Sequence, residues 1–239
     1  MDAFARFAGG AASWKPGSLA AAYFETETAG VERLRLPDAT LALVTLPFYA
    51  KYRKELGLTP RLRVVGESGA EEIWSLVAKR GAVTTPAALA GWDIVGVPAF
   101  SPEFVRGPIL GPWGGLPDSA RLVFSARVPS SLLKAAAGQK LAVLVDSAQA
   151  DALPSHPAGA ELEIVTRSKP LPASVLCEVG DRASSRAVEA LVHALTTLAD
   201  RAGSSEVLSS LRLRRFEPLD PKALDAALGA DRRPPPHSP

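Results

Sequence analysis

Residues 85–97 read TPAALAGWDIVGV, and this stretch decides the fold class. Thr85–Leu89 forms a short predicted helix with proline in its first turn, and a glycine stop leads into Trp92–Val97, which is typical of a strand. The alternation recurs upstream, where the apolar run Thr40–Leu46 has strand length and Pro47 opens a helix directly after it. Strands that alternate with helices at this spacing predict an α/β protein with mainly parallel sheets.

Composition excludes several classes of protein. The chain has 239 residues, is 47% hydrophobic and 22% charged, and has a mean hydropathy of +0.10, which is typical of a globular protein rather than a disordered one. Its 27 basic and 25 acidic residues are too balanced for an electrostatic nucleic-acid binder. The longest apolar run, Leu41–Ala50, is interrupted by Thr45 and Pro47 and falls short of the ~18–20 residues of a membrane span.

No catalytic or metal-binding pattern emerges from the residue types. A single cysteine, Cys177, excludes an internal disulfide and any multi-cysteine zinc site, and its apolar strand neighbours indicate a buried thiol. The three histidines, His156, His193 and His237, lie in a loop, off the apolar stripe of the longest predicted helix and near the C-terminus. Phosphate-binding glycine motifs and metal-ligand spacings are absent from the sequence. We therefore expect no enzymatic activity, cofactor or metal.

Three strand ends remain as candidate ligand contacts, because ligands of open parallel sheets bind where strands end and helices begin. The first is Thr45–Tyr49, with Phe48 and Tyr49 in the opening turn of a helix. The second is Phe100–Ser101, ahead of Pro102, and the third is Asp146, ahead of a helix. Each end is equally compatible with an ordinary helix cap.

Three segments resemble type 2 periplasmic substrate-binding proteins. Thr85–Val97 resembles the short helix, glycine stop and strand with which the second lobe of that family begins. Residues 203–220 (GSSEVLSSLRLRRFEPLD) resemble the family's C-terminal segment, and the run AGQKLAVLVD ending at Asp146 is similar to a family strand. Within the family, the chain is most similar to the phosphate/phosphonate-type substrate-binding components of ABC transporters.

The resemblance implies two α/β lobes with a ligand in the cleft between them. One lobe would comprise residues 1–78 and 172–230 and the other residues 79–171, while the proline-rich segment 231–239 is expected to be a disordered tail. Transferred to this sequence, the ligand contacts predicted by the resemblance are Thr45, Phe48, Tyr49, Phe100, Ser101 and Asp146. The implied function is capture of a small solute in the periplasm for an ABC transporter permease, and we expect a monomer.

The sequence departs from the family pattern at two places. Pro102 removes a backbone donor and Glu103 places a carboxylate in a helix turn where the family offers small hydroxyl residues and glycine to an anion. A phosphate- or phosphonate-like anion and a small organic acid therefore both remain as ligands, and Tyr49 and Phe100 suit a partly apolar one. Family members begin with a strand behind an export signal, whereas this chain opens in a helix, so we expect the first strand to be missing.

Two other functions remain open. An enzyme of the same fold, such as a dehydratase or a cofactor-biosynthesis protein, would use Asp146 or Glu103 as a general acid or base. The sensor domain of a regulator would instead follow a DNA-binding helix-turn-helix upstream of the chain.

Overall fold

A computed structural model describes residues 1–229, and the predicted tail 231–239 lies outside them. The α-helices are α1 (Asp2–Ala11), α2 (Glu27–Arg35), α3 (Leu46–Tyr52), α4 (Pro102–Phe104), α5 (Val128–Ala136), α6 (Ser147–Ala152), α7 (Ser185–Thr196), α8 (Ser204–Ser209) and α9 (Pro221–Ala227). The strands are β1 (Leu41–Thr45), β2 (Leu58–Gly66), β3 (Glu71–Glu72), β4 (Ser75–Lys79), β5 (Asp93–Gly96), β6 (Arg121–Phe124), β7 (Leu141–Val145), β8 (Leu162–Arg167), β9 (Leu171–Pro172), β10 (Ser174–Val179) and β11 (Leu213–Pro218). Short 3-10 segments include Pro86–Leu89 and Val97–Phe100, and α4 continues as a π-helix over Val105–Ile109.

The chain divides into two compact units. The first comprises Met1–Glu71 and Pro172–Pro221, and the second comprises Glu72–Leu171 and the described residues from Lys222 onward. The first boundary predicted from the sequence lies after residue 78. The structure differs there because β4 pairs with β7 and β8 and so belongs to the sheet of the second unit.

The first unit is a four-stranded sheet covered by helices. Its strands follow the order β1-β10-β2-β11, and each neighbouring pair is antiparallel. Helices α1, α7 and α8 contribute to a shared apolar cluster with the sheet, in which Ala8, Leu62, Leu195 and Phe216 are buried. Because the apolar residues of α7 recur every three or four positions, the helix buries one continuous stripe against this cluster.

The second unit contains a five-stranded mixed sheet in the order β6-β5-β7-β4-β8. Strand β5 runs parallel to β6 and β7, whereas β4 is antiparallel to β7 and β8. Apolar residues of α5, α6 and the sheet, including Leu132, Ala150 and Val143, form one buried cluster. Helical connections between β5, β6 and β7 return the chain in the same direction, which gives the parallel pairs.

The α/β class is thus confirmed, but the sheets are not mainly parallel, since the first is antiparallel and the second is mixed. Strands β4 and β10 follow directly after the points where the chain passes from one unit to the other, and no helical crossover reverses their direction. A second difference concerns Ser18–Thr26, an apolar run whose Tyr23 and Phe24 predict a strand. Residues 19–25 have no regular secondary structure, and Tyr23 and Phe24 are exposed in a run that is otherwise rich in alanine, a residue depleted in strands.

Candidate functional site

Three parallel strands of the second unit end at the same edge of their sheet. Strands β5, β6 and β7 are adjacent and parallel, so the residues that follow them emerge side by side. These residues are 97–101 after β5, 125–127 after β6 and 146–147 after β7. The structure therefore brings the predicted residues Phe100, Ser101 and Asp146 to one sheet edge, where open α/β sheets bind ligands.

The close packing of β5 against β7 at the end of β5 requires a glycine, Gly96. A Cβ atom on Gly96 would lie 2.7 Å from the carbonyl oxygen of Leu144 and 2.9 Å from its Cβ atom, so no larger residue fits without moving β7. The 3-10 turn that follows carries Phe100, whose ring lies 6.4 Å from the ring of Phe124 at an angle of 74°. This edge-to-face contact joins the ends of β5 and β6.

Ser101 lies immediately beyond this turn and is only 1% exposed. Its hydroxyl has no hydrogen-bond partner within residues 1–229, and it makes no capping bond to the helix that it precedes. A buried hydroxyl without a partner is uncommon and costs free energy, and at this edge Ser101 shares the property with Ser75, which pairs with Val145 at the end of β7.

The helix after Ser101 is poorly suited to binding an anion by its backbone alone. Pro102 occupies its first position and has no N–H, and the exposed side chain of Glu103 adds negative charge to the first turn. Arg106 does not compensate, because its guanidinium donates hydrogen bonds to three carbonyls in the loop 116–120, the closest at 2.8 Å. Arg106 therefore stabilises that loop.

The end of β7 is also occupied by carboxylates. Asp146 caps α6 through a capping box, in which its Oδ1 accepts from the backbone N–H of Gln149 at 2.8 Å and the Gln149 side chain accepts from the Asp146 N–H at 3.1 Å. The Oε1 atom of Glu72 accepts from the backbone N–H of Ser147 at 2.6 Å and also from the Ser147 hydroxyl. The start of α6 is consequently neutralised by two side chains of the protein itself.

The end of β6 carries two residues that the sequence analysis missed, Phe124 and Arg127. Phe124 is 58% exposed, and the guanidinium of Arg127 has no hydrogen bond or ion pair with any part of the chain that the structure describes. The backbone N–H of Arg127 donates to the Ser125 hydroxyl, and the Ser125 N–H donates to the carbonyl of Gly96. Applying the strand-end rule to β6 as well as to β5 and β7 would have found both residues.

In the first unit, the predicted contacts lie at the junction of β1 and α3. Thr45 is exposed and precedes α3 without forming a side-chain cap. The half-buried ring of Phe48 lies 4.8 Å from the Tyr52 ring. Tyr49 is only 3% exposed, and the Arg53 guanidinium lies 5.7 Å from its ring centroid. Thr45 is therefore available to a ligand, whereas Tyr49 belongs mainly to the packing of its own unit.

Sequence comparison identifies the family. The family described as "ABC transporter, phosphonate, periplasmic substrate-binding protein" has a model that matches residues 20–224, most of the chain. The chain belongs to this family. No functionally curated protein has significant similarity to the sequence.

Solved structures of similar fold agree with this family assignment. XAC2383 from Xanthomonas citri, solved with ATP bound, has a TM-score of 0.69 at 14% identity over 95% of this chain and 91% of its own. A binding protein component of an ABC phosphonate transporter from Pseudomonas aeruginosa has a TM-score of 0.61 at 14% identity, covering 92% of this chain and 76% of its own. PhnD1 from Prochlorococcus marinus, solved with methylphosphonate, has a TM-score of 0.59 at 14% identity, covering 95% and 90%. These likenesses establish the two-lobed binding-protein fold.

Other side chains that carry chemistry in many proteins have structural roles in this member of the family. Burial raises the pKa of the Cys177 thiol to about 12, so the thiol stays protonated at neutral pH. The His156 Nδ1 atom accepts a hydrogen bond from the N–H of Ala158, and His193 is exposed on α7. Within residues 1–229, no group of three or more potential metal ligands is found, and no helix is long and apolar enough to cross a membrane.

Proposed function

We propose that this protein captures a small solute in the periplasm and delivers it to an ABC transporter permease. The family match over residues 20–224 is the observation that carries this proposal. The ligand would be a phosphate- or phosphonate-like anion or a small organic acid. Relatives of the same fold have been solved with methylphosphonate and with ATP, which supports an anionic ligand without specifying its size.

We infer a role in ligand binding for the predicted residues of each unit, taken separately. In the first unit, the exposed hydroxyl of Thr45 would donate to the ligand and Phe48 would contact its apolar part, while Tyr49 supports the turn that carries them. In the second unit, Phe100 and Ser101 would contact the ligand directly.

Asp146 would contribute more weakly than these residues. The capping box already engages its Oδ1 atom, which leaves the other carboxylate oxygen for a ligand donor. Because a carboxylate only accepts hydrogen bonds, Asp146 would favour a ligand that carries an N–H or O–H group.

The candidate residues also favour a binding function over an enzymatic one. A general base must be within hydrogen-bond reach of a substrate proton, yet Asp146 serves as a helix cap and Glu103 is exposed. Both carboxylates therefore suit a structural or electrostatic role better than proton transfer.

A ligand screen tests the proposal directly. Thermal unfolding would be followed with phosphate, methylphosphonate, phenylphosphonate and small carboxylic acids, since a ligand that binds only the folded state raises the unfolding temperature by mass action. At a concentration of about 100 times Kd, the expected stabilisation is about 2.7 kcal/mol. The absence of any shift over the whole panel, with a folded protein, would contradict the proposed function.

The Ser101→Ala variant separates binding from folding. Removing a buried hydroxyl that has no partner should leave the free protein as stable as the wild type or slightly more stable. The ligand-induced shift should nevertheless fall, because the ligand loses a hydrogen bond. The control is Ser131→Ala on α5, whose hydroxyl already bonds to the Arg127 carbonyl and whose loss should destabilise the free protein. A ligand shift that is unchanged in Ser101→Ala would remove Ser101 from the site.

A further inference from the structure

We propose that the second sheet selects an organic anion that carries an aromatic or bulky apolar group, with Phe100 and Phe124 contacting that group and Arg127 binding the anion. The inference rests on the proposed function, because it concerns the ligand of the same site. The proposed ligand has an aromatic or bulky apolar body, and its anionic head is either a phosphonate or a carboxylate.

The apolar group of the proposed ligand is inferred from large apolar side chains that are exposed at this edge of the sheet. Among residues 1–229, nine large hydrophobic side chains are exposed, and two of them, Val97 and Phe124, lie at the ends of β5 and β6. The Phe124 ring meets Phe100 edge to face, which leaves most of the Phe124 side chain exposed. A ligand ring placed there would remove apolar surface from water and add an aromatic contact, both of which favour binding.

The register of the sheet keeps this surface open. Gly96 pairs with Phe124 in the parallel ladder, and a side chain at Gly96 would stand beside the Phe124 ring on the same face of the sheet. Because the Leu144 carbonyl oxygen and Cβ atom fill the space where a Gly96 Cβ atom would lie, β5 places no side chain of its own beside Phe124 at this position. The same glycine thus shapes both the turn to Phe100 and the aromatic surface.

The anionic part of the inference rests on the distribution of charge at this edge. Glu103 stands at the helix start after β5, and Asp146 and Glu72 occupy the start of α6 after β7. Both positions repel an anion. Arg127, which follows β6, is the cation at these three strand ends whose guanidinium is unpaired within the described chain.

A guanidinium binds phosphonate and carboxylate groups through two parallel hydrogen bonds, which makes Arg127 suited to either head group. The loop that carries Arg127 is held to the end of β5 by the bond from the Ser125 N–H to the Gly96 carbonyl, at 3.3 Å. Inorganic phosphate or methylphosphonate would meet Arg127 but leave the Phe124 ring in water. A ligand with an anionic head and an apolar body satisfies both features at once.

Matched phosphonates test the ligand body. Isothermal titration of the full chain with phenylphosphonate and methylphosphonate compares the same head with and without a ring. Phenylphosphonate should bind about 10- to 100-fold more tightly, the ratio expected for burial of one phenyl group. Benzoate and cyclohexanecarboxylate extend the comparison to a carboxylate head and a non-aromatic body.

Two variants test the residues, each with a control of the same type. Phe124→Ala should abolish the preference for phenylphosphonate without weakening methylphosphonate, whereas Leu133→Ala, which truncates a 50% exposed leucine on α5, should change neither. Arg127→Gln should weaken both phosphonates about tenfold. Arg121→Gln removes the same charge at the opposite end of β6, where Arg121 pairs with Asp93, and should have little effect.

The outcomes separate this inference from the proposed function. If the protein binds methylphosphonate or phosphate at least as tightly as phenylphosphonate, the inference is wrong and the proposed function stands. A preference for phenylphosphonate that survives Phe124→Ala overturns it as well, as does an Arg127→Gln protein that binds both phosphonates as tightly as the wild type. If none of these anions binds to the folded protein, both statements fail together.

Discussion

Substitution of Gly96 by alanine should destabilise the second unit because of a clash with backbone atoms. The new Cβ atom would lie 2.7 Å from the Leu144 carbonyl oxygen, a contact shorter than folded proteins tolerate. A rotamer change cannot relieve this clash, because the nearest atom is a backbone carbonyl oxygen and both residues lie within paired strands. Strands β5 and β7 must therefore separate locally. Overpacking of a core typically costs about 1–3 kcal/mol, and we expect a loss of unfolding free energy in that range.

The same chemical change at Gly30 provides the control, and its effect should have the opposite sign. Gly30 lies within α2, and a Cβ atom there would stand 3.8 Å from the Phe48 Cε2 atom, an ordinary van der Waals distance. Gly30→Ala should therefore stabilise the protein by about 0.5–1 kcal/mol, through the higher helix propensity of alanine. Urea unfolding monitored by circular dichroism would measure both variants, with the slope of the transition checked for constancy. A Gly96→Ala protein as stable as the wild type would refute the described spacing of β5 and β7.

Three further predictions concern the first unit. Cys177, whose pKa is raised to about 12 by burial, should resist thiol reagents at pH 8 in the folded protein and react rapidly in urea. Arg182→Ala should cost about 1–2 kcal/mol in urea unfolding, because the guanidinium donates to three carbonyls between the last turn of α2 and the start of β1. Burial raises the pKa of Glu27, but hydrogen bonds from Lys51 and Tyr52 outweigh it and leave that pKa lowered. Glu27 therefore stabilises the fold above its unfolded pKa and loses this effect as pH falls through its folded pKa, so the difference in unfolding free energy between wild type and Glu27→Gln should shrink from pH 7 to pH 3.

Local signals in the sequence predict much of the second unit. Proline at a helix start, a glycine stop and a short β-branched run identify the Pro86–Leu89 turn and strand β5, and the apolar run LAVLV identifies β7. These elements depend on residues near in sequence, because they follow from backbone propensity and capping. The α/β class follows from their order.

Strand direction and the fate of residues 18–26 could not be predicted in the same way. Whether a strand joins a sheet in parallel or antiparallel orientation depends on the path of the chain between units, and β10 pairs with strands more than a hundred residues away. The run ending in Tyr23 and Phe24 contains aromatic residues typical of strands, yet among the described residues it has no strand partner. An apolar run becomes a strand only when a neighbouring backbone supplies hydrogen bonds.

The candidate site shows why helix-cap residues are ambiguous in a sequence. Thr45, Ser101 and Asp146 all precede helices after strands, and all three are residue types that cap helices. The structure separates them, since Asp146 forms a complete capping box while Thr45 and Ser101 make no side-chain cap. A ligand hydrogen bond and a helix cap use the same oxygen atoms, so only the geometry of each helix start distinguishes the two roles.

The same geometry explains how an α/β sheet can change the way it recognises an anion. Backbone N–H groups at a helix start can bind a phosphate with most side chains, but a proline there removes one of them. In this chain, Pro102 and Glu103 weaken one helix start, and Glu72 and Asp146 occupy another. Under the ligand proposal made above, recognition of an anion at this edge would depend on one side chain, that of Arg127. A guanidinium carries a full charge and can bind phosphonate or carboxylate, so under this proposal selection among anions would fall to the contact between Phe124 and the apolar body of the ligand.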